Sequence, residues 1–138
     1  MTDALRTYLE AELAKPPFHH WLGPVIESVE EEANALTVRI PANPQFARIP
    51  GEPGFHGAII AGTVDIAAHA AITLVTRRAT PTVDLRVDYL RGSTGKDLLA
   101  RAAIIRAGRS LGTVRIDVSE PDGRQIATGT ATFYLRTD

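Results

Sequence analysis

The stretch from Gly57 to about Val75, GAIIAGTVDIAAHAAITLV, decides the fold. It contains no proline, is rich in alanine, and carries only two ionisable side chains, Asp65 and His69. Its length suits a helix, and a helix apolar on nearly all sides must be wrapped by something equally apolar. A bilayer could do this, but an acid and a histidine in mid-segment make that costly. The rest of the chain carries strand signals, so a helix buried by a sheet is the better reading. The expected class is α+β, an antiparallel sheet wrapped around one long central helix.

Downstream of this helix the signals are all of strand type. Val83, Leu85, Val87 and Tyr89 alternate with Thr82, Asp84, Arg86 and Asp88, and Leu98–Ala107 gives a second strand. Leu111–Ser119 follows the turn Ala107-Gly108-Arg109-Ser110, and Gln125–Leu135 follows the turn signal Pro121-Asp122-Gly123. These four strands are expected to form an antiparallel meander. Tyr89 is expected in the core, because it shares a face with Val83, Leu85 and Val87. Arg77 and Arg78 are placed to cap the C-terminus of the central helix.

Upstream lies a loop of Pro and Gly, PANPQFARIPGEPGFH (41–56), long enough to be functional. Before it, Val25–Val29 and Leu36–Ile40 flank a polar turn, Glu30–Asn34, and form a hairpin. Near the start, Leu5, Leu9 and Leu13 fall on one face of a short helix that Thr2 or Asp3 can cap. Pro16-Pro17 stops it, and Phe18, Trp21 and Leu22 form an apolar plug holding His19 and His20. Adjacent histidines without a third ligand more often pack than bind metal.

Composition narrows the function. The chain has 138 residues, 44% apolar and 22% charged, with net charge −1 and no cysteine. That describes a single domain, 1–138, with room for a core and without disulfides, thiolate metal sites or a Cys nucleophile. Near-zero charge argues against nucleic acid as a partner. Lack of Cys and of a basic-then-apolar leader gives a cytoplasmic expectation. The charge is uneven, though: residues 1–76 carry −5 and residues 77–138 carry +4, with ten arginines among the eleven basic residues of the latter half. Most of these belong to solvated strand faces, while a few could hold a small polyanion.

The common catalytic signatures are absent: no G-x-S-x-G, H-E-x-x-H, Walker loop or dinucleotide fingerprint occurs. One constellation remains. Gly54-Phe55-His56-Gly57 opens the central helix, where unpaired N–H groups and the positive end of the dipole can hold a developing oxyanion. Asp65 follows two turns on, and an acid in an apolar helix is expensive unless paired or used. It either acts as a base or pairs with His69 one turn later. His56 and Asp65 stand nine positions apart, about 13 Å of helical rise. Either two subunits bring them together, or His56 only shapes the helix entry.

At this point the sequence resembles a family. P-G-F-H-G-A-I-I-A-G-T-V-D-I-A-A (53–68), T-V-D-L-R-V-D-Y-L-R (82–91) and A-G-R-S-L (107–111) resemble the hotdog-fold acyl-CoA thioesterases, in particular the branch that includes phenylacetyl-CoA-type enzymes. P-F-H-H-W-L-G (17–23) and A-T-G-T-A-T-F-Y-L (127–135) extend the resemblance along nearly the whole chain. It implies the hotdog fold and hydrolysis of an acyl-CoA to free acid and CoA. Asp65 would be the catalytic acid, as general base or nucleophile, and Gly57 the N–H donor to the thioester carbonyl. His56 would stand beside it, and Thr82 would help hold water. Arg91 and the Gly108-Arg109 turn would meet CoA phosphates. It further implies no cofactor, no metal, no membrane, and a homo-oligomer, dimer or dimer of dimers, with the site between subunits. There are two departures. Pro50 stands where many relatives carry Asn or Gln, with Gln45 and Glu52 as the nearby substitutes, and Ala58 replaces the second glycine of H-G-G. The rival readings are a hotdog dehydratase or hydratase, and a non-catalytic acyl-CoA-binding module.

Overall fold

A computed structural model describes residues 3–137. The elements run α1 (Asp3–Leu13), α2 (Pro17–Leu22), β1 (Val25–Glu30), β2 (Ala35–Ile40), α3 (Gly57–Thr76), β3 (Thr82–Tyr89), β4 (Leu98–Ala107), β5 (Leu111–Ser119) and β6 (Gln125–Tyr134). The strands form one antiparallel sheet in the order β1-β2-β4-β5-β6-β3. Helix α3 lies across one face of it and packs on β2, β4, β5, β6 and β3. This is the hotdog fold, α+β, that the sequence led us to expect.

Alternation along the strands builds the inner face. Val38, Ala100 and Val118 stand in one row across β2, β4 and β5, and Leu36, Ala102 and Ile116 in the next, all fully buried. Helix α3 turns Ile59, Ile60, Val64, Ala67, Ala71 and Ile72 onto this surface. Two glycines let it sit close: a Cβ at Gly112 would stand 2.7 Å from Ile72 Cδ1, and one at Gly129 would stand 2.5 Å from the Arg86 carbonyl oxygen and 3.1 Å from Val64 Cγ1. The helix hydroxyls Thr63, Thr73 and Thr76 bond back to carbonyls four residues earlier, so they enter the apolar layer satisfied. The stripe Ala58, Ala61, Gly62, Asp65 and His69 is the side of α3 that the sheet leaves open.

The expected meander is corrected in one strand. β4, β5 and β6 do form one, but β3 pairs with β6 at the sheet edge instead of with β4. The helix crosses the sheet and delivers the chain to the far edge, and residues 90–97 then carry it back to β4. The apolar plug is also corrected, since Pro17 starts the short helix α2. Of the plug residues only Leu22 is buried, while Phe18 and Trp21 remain half exposed. His19 Nδ1 and His20 Nε2 bond the Leu13 and Ala14 carbonyls, tying α2 to the end of α1. Arg77 ends α3 in the left-handed region with its N–H on Thr73, but the Arg78 guanidinium donates to the Leu135 carbonyl instead of to the helix. Asp3 is the first residue of α1, and Thr2 lies outside the described residues.

Candidate active site

Asp65 projects from the open stripe of α3 and is partly exposed in the single chain. Its Oδ1 accepts a hydrogen bond from Thr82 Oγ1 at 2.9 Å. The pairing depends on a bulge. Leu85 opposes Ala131 and Asp84 opposes Thr132, but Thr82 opposes Phe133, so Thr82 and Val83 together face one residue of β6. Simple alternation puts Thr82 on the outer face with Asp84 and Val83 on the inner one. The bulge reverses both, turning Thr82 toward Asp65 and leaving Val83 59% exposed.

His69 is not the hydrogen-bond partner of Asp65. Its Nε2 accepts from the Thr80 N–H at 3.4 Å. Burial pushes the imidazole below its ordinary value, opposed by the Asp65 carboxylate, with nearby His19 adding to the depression. A neutral His69 suits its acceptor role.

The other candidates gather at the start of α3. His56 is the N-cap, and its Nδ1 accepts from the Ala58 N–H at 2.9 Å. Its carbonyl takes the Ile59 and Ile60 N–H groups. The Gly57 N–H, between these, makes no hydrogen bond with the described residues. It is therefore an unused donor at the positive end of a 20-residue helix. Tyr89 is corrected from core to site border: it is 54% exposed, and its hydroxyl donates to the Gly57 carbonyl at 2.8 Å. A tyrosine at the end of an apolar strand face, where Phe would serve a core, was the signal for this.

Thus β3 connects two half-sites. Its last residue, Tyr89, touches Gly57, and its first, Thr82, holds Asp65. Within one chain the Gly57 donor and the Asp65 carboxylate are eight residues apart on α3, about 12 Å along the axis. They do not converge on one atom. A cavity of about 450 Å³ lies elsewhere, between the 42–55 loop and Thr94-Gly95. Phe55 and Glu52 line it, while Asp65, Thr82 and Gly57 do not.

The departure at Pro50 has a structural explanation. Pro50-Gly51 forms a turn in which Glu52 N–H bonds the Ile49 carbonyl and Gly51 adopts φ +79°. Proline then glycine suits a type II turn, so Pro50 serves the loop backbone. The Gln45 amide oxygen is taken by Trp21 Nε1–H at 2.9 Å. The arginines are separated. Arg91 follows β3 and bonds the Ile126 carbonyl near the start of β6, whereas Leu135 just past the end of β6 bonds Ser110 in the Gly108-Arg109 turn. About nine residues of strand, some 30 Å, separate these levels. Arg91 and Arg109 of one chain therefore cannot reach one pocket mouth together, contrary to expectation.

A family model described as the thioesterase superfamily matches residues 54–127. The medium/long-chain acyl-CoA thioesterase YigI of Escherichia coli K12 is 29% identical over 96% of this chain and 94% of its own. A crystallised protein of the thioesterase superfamily superposes with a TM-score of 0.90 at 29% identity, covering 97% of this chain and 100% of that one. A phenylacetic acid degradation-related protein from Ralstonia eutropha JMP134 gives 0.82 at 26% identity, over 95% and 98% of the two chains. With a hotdog fold, an acid held by a hydroxyl and an unused helix-start donor, this chain belongs to the thioesterase superfamily and is a thioester hydrolase.

Proposed function

We propose that the protein hydrolyses acyl-CoA thioesters in a two-fold dimer built on the free edge of β3, with each site shared between subunits. The observation that carries this reading is the placement of the two half-sites at opposite ends of one unpaired edge strand. A two-fold axis beside the middle of β3 sets the partner's β3 antiparallel to it along that edge. The Asp65–Thr82 end of one chain then meets the Gly57–Tyr89 end of the other. Val83, Tyr89 and Leu90 are all about half exposed along or just past this strand. An apolar edge with unpaired backbone groups calls for cover, and a second copy supplies it. The same operation sets the two open α3 stripes, small-residued apart from Asp65 and His69, side by side. It also puts the partner subunit's Arg91 at the same end as Arg109, where the two could hold the phosphates of one CoA. YigI supports acyl-CoA as the substrate class.

In the reaction, Asp65 takes a proton from water as the water oxygen bonds to the thioester carbon. Thr82 donates to the same carboxylate at 2.9 Å and fixes its orientation. The carbonyl oxygen gains charge against the partner's Gly57 N–H. Collapse breaks the carbon–sulfur bond, the proton passes from Asp65 to sulfur, and acid and CoA thiol leave. His56 supports the carbonyl end by fixing the cap. The experiment is a thiol-release assay across short, medium, long-chain and aryl CoA esters with Asp65→Asn. That variant should fold and lose about a hundredfold or more in turnover. Full turnover in folded Asp65→Asn removes the mechanism.

A further inference from the structure

Two buried polar side chains outside the chemistry converge on the segment that leads into Gly57. Glu120 lies just past β5 and is fully buried. A carboxylate so placed is a poor stabiliser compared with an apolar side chain of its size, so its geometry is the part that needs explaining. Its Oε2 accepts both the N–H and the hydroxyl of Thr94, each at 2.8 Å. Arg124 Nε stands 3.5 Å from Oε1, which makes no hydrogen bond among the described residues. Glu120 thereby pins the turn after β3.

That turn grips residues 53–55. Ser93, itself buried, accepts the Phe55 N–H on Oγ at 2.8 Å. Gly95 adopts φ +81°, and a Cβ there would stand 2.9 Å from Pro53 Cβ and 3.0 Å from its carbonyl oxygen. The turn therefore lies flat against Pro53. On the other side Phe55 bridges to Ala47, its ring packs 5.9 Å from that of Phe46, and His56 N–H bonds the Phe46 carbonyl at 2.8 Å. Only His56 separates the Ser93 hydrogen bond from the Gly57 donor.

We infer that Ser93 and Glu120 are positioning residues that aim the Gly57 N–H at the thioester oxygen. Glu120 fixes Thr94, and through it Ser93; Ser93 fixes the Phe55 peptide; and that peptide sets the entry to α3. Two peptide planes of slack at this point would tilt the donor away from the oxyanion without disturbing the helix below. The inference rests on the reading of Gly57 as the carbonyl donor, and the test separates the two.

The probes are two non-hydrolysable analogues of an acyl-CoA that the enzyme turns over. A ketone has CH2 in place of sulfur and keeps the carbonyl, whereas a thioether keeps sulfur and lacks the carbonyl. Wild type should bind the ketone more tightly. Equal binding by wild type overturns the Gly57 reading itself. Given a wild-type preference, Ser93→Ala and Glu120→Ala should reduce it about tenfold and lower kcat in parallel, with thioether affinity within about twofold. Ser93→Thr keeps the acceptor, and Glu120→Gln keeps an oxygen for Thr94, so both should stay within about threefold of wild type. Folded alanine variants with unchanged preference and kcat overturn the inference. So does an equal loss of affinity for both analogues, which marks a merely structural role. Should Glu120→Ala not fold, Ser93→Ala decides, since it removes one oxygen from a small side chain.

Discussion

Replacing Gly57 with proline deletes the donor and little else. The Gly57 N–H has no hydrogen bond to lose among the described residues. Position 57 is the first of α3, where proline is favoured. His56 has ψ 139°, in the region that a residue before proline prefers. A Cβ at 57 would meet the Tyr89 hydroxyl at 3.4 Å and the ring at 3.5 Å, ordinary contact distances. The fold should therefore hold to within about 1 kcal/mol, and a restricted unfolded chain works in its favour. The chemistry should not hold. Removing one donor from an oxyanion site typically costs about 10²–10³ in kcat, roughly 2.7–4 kcal/mol. The readouts are a thermal melt and saturating thiol release. A folded Gly57→Pro enzyme with wild-type kcat refutes the role of the helix start. The same variant tests the shared site. Mixed with Asp65→Asn and allowed to exchange subunits, it forms heterodimers in which one site carries both defects and the other carries neither. Random exchange should restore about a quarter of wild-type activity. No recovery in a mixture shown to have exchanged would place both groups of a site in one chain.

Three further outcomes follow from the same geometry. Val83→Asp puts a charge on the exposed β3 edge, so sedimentation at micromolar concentration should shift from dimer to monomer with loss of activity; an active monomer removes the shared site. Arg91→Ala and Arg109→Ala should raise KM for CoA esters several-fold, about 1–2 kcal/mol, with kcat nearly unchanged. A pantetheine thioester without the nucleotide should be indifferent to both changes, and equal losses on the two substrates would assign these arginines to the fold. His69 has its proton affinity lowered by burial. The unfolded chain then binds the proton more readily than the native one, so the stability tied to a neutral His69 is complete above its ordinary value near 6.5 and fades as pH falls toward the native one. Melting temperature should decline over that interval in wild type and less in His69→Gln; identical profiles would exclude His69 as the cause.

Sequence alone determined the pieces whose physics is local. An apolar, proline-free run of nearly twenty residues with one acid could only be a wrapped helix, and period-two alternation and the Pro-Asp-Gly turn delimited the strands. The helix start and the mid-helix acid stood out as candidates for the same reason, and their spacing of eight residues already kept them from meeting within one helix. What the tertiary structure decided depends on contacts between distant residues. Local alternation does not say that β3 pairs with β6, because that follows from where α3 delivers the chain. Nor does it show the bulge that turns Thr82 onto Asp65, since one unpaired residue inverts the face of its neighbour without altering the sequence pattern. Arg91 and Arg109 follow neighbouring strands in the chain, yet strand register puts them at opposite ends of the sheet. Tyr89 departed from expectation for the same reason, an aromatic on an apolar face reaching the surface at an edge. Glu120, an acid beside a turn, is enclosed by a loop from another strand, which no local pattern announces. Periodicity assigns a side chain to a face, but only the packing of other elements against that face decides whether it meets core, solvent or substrate.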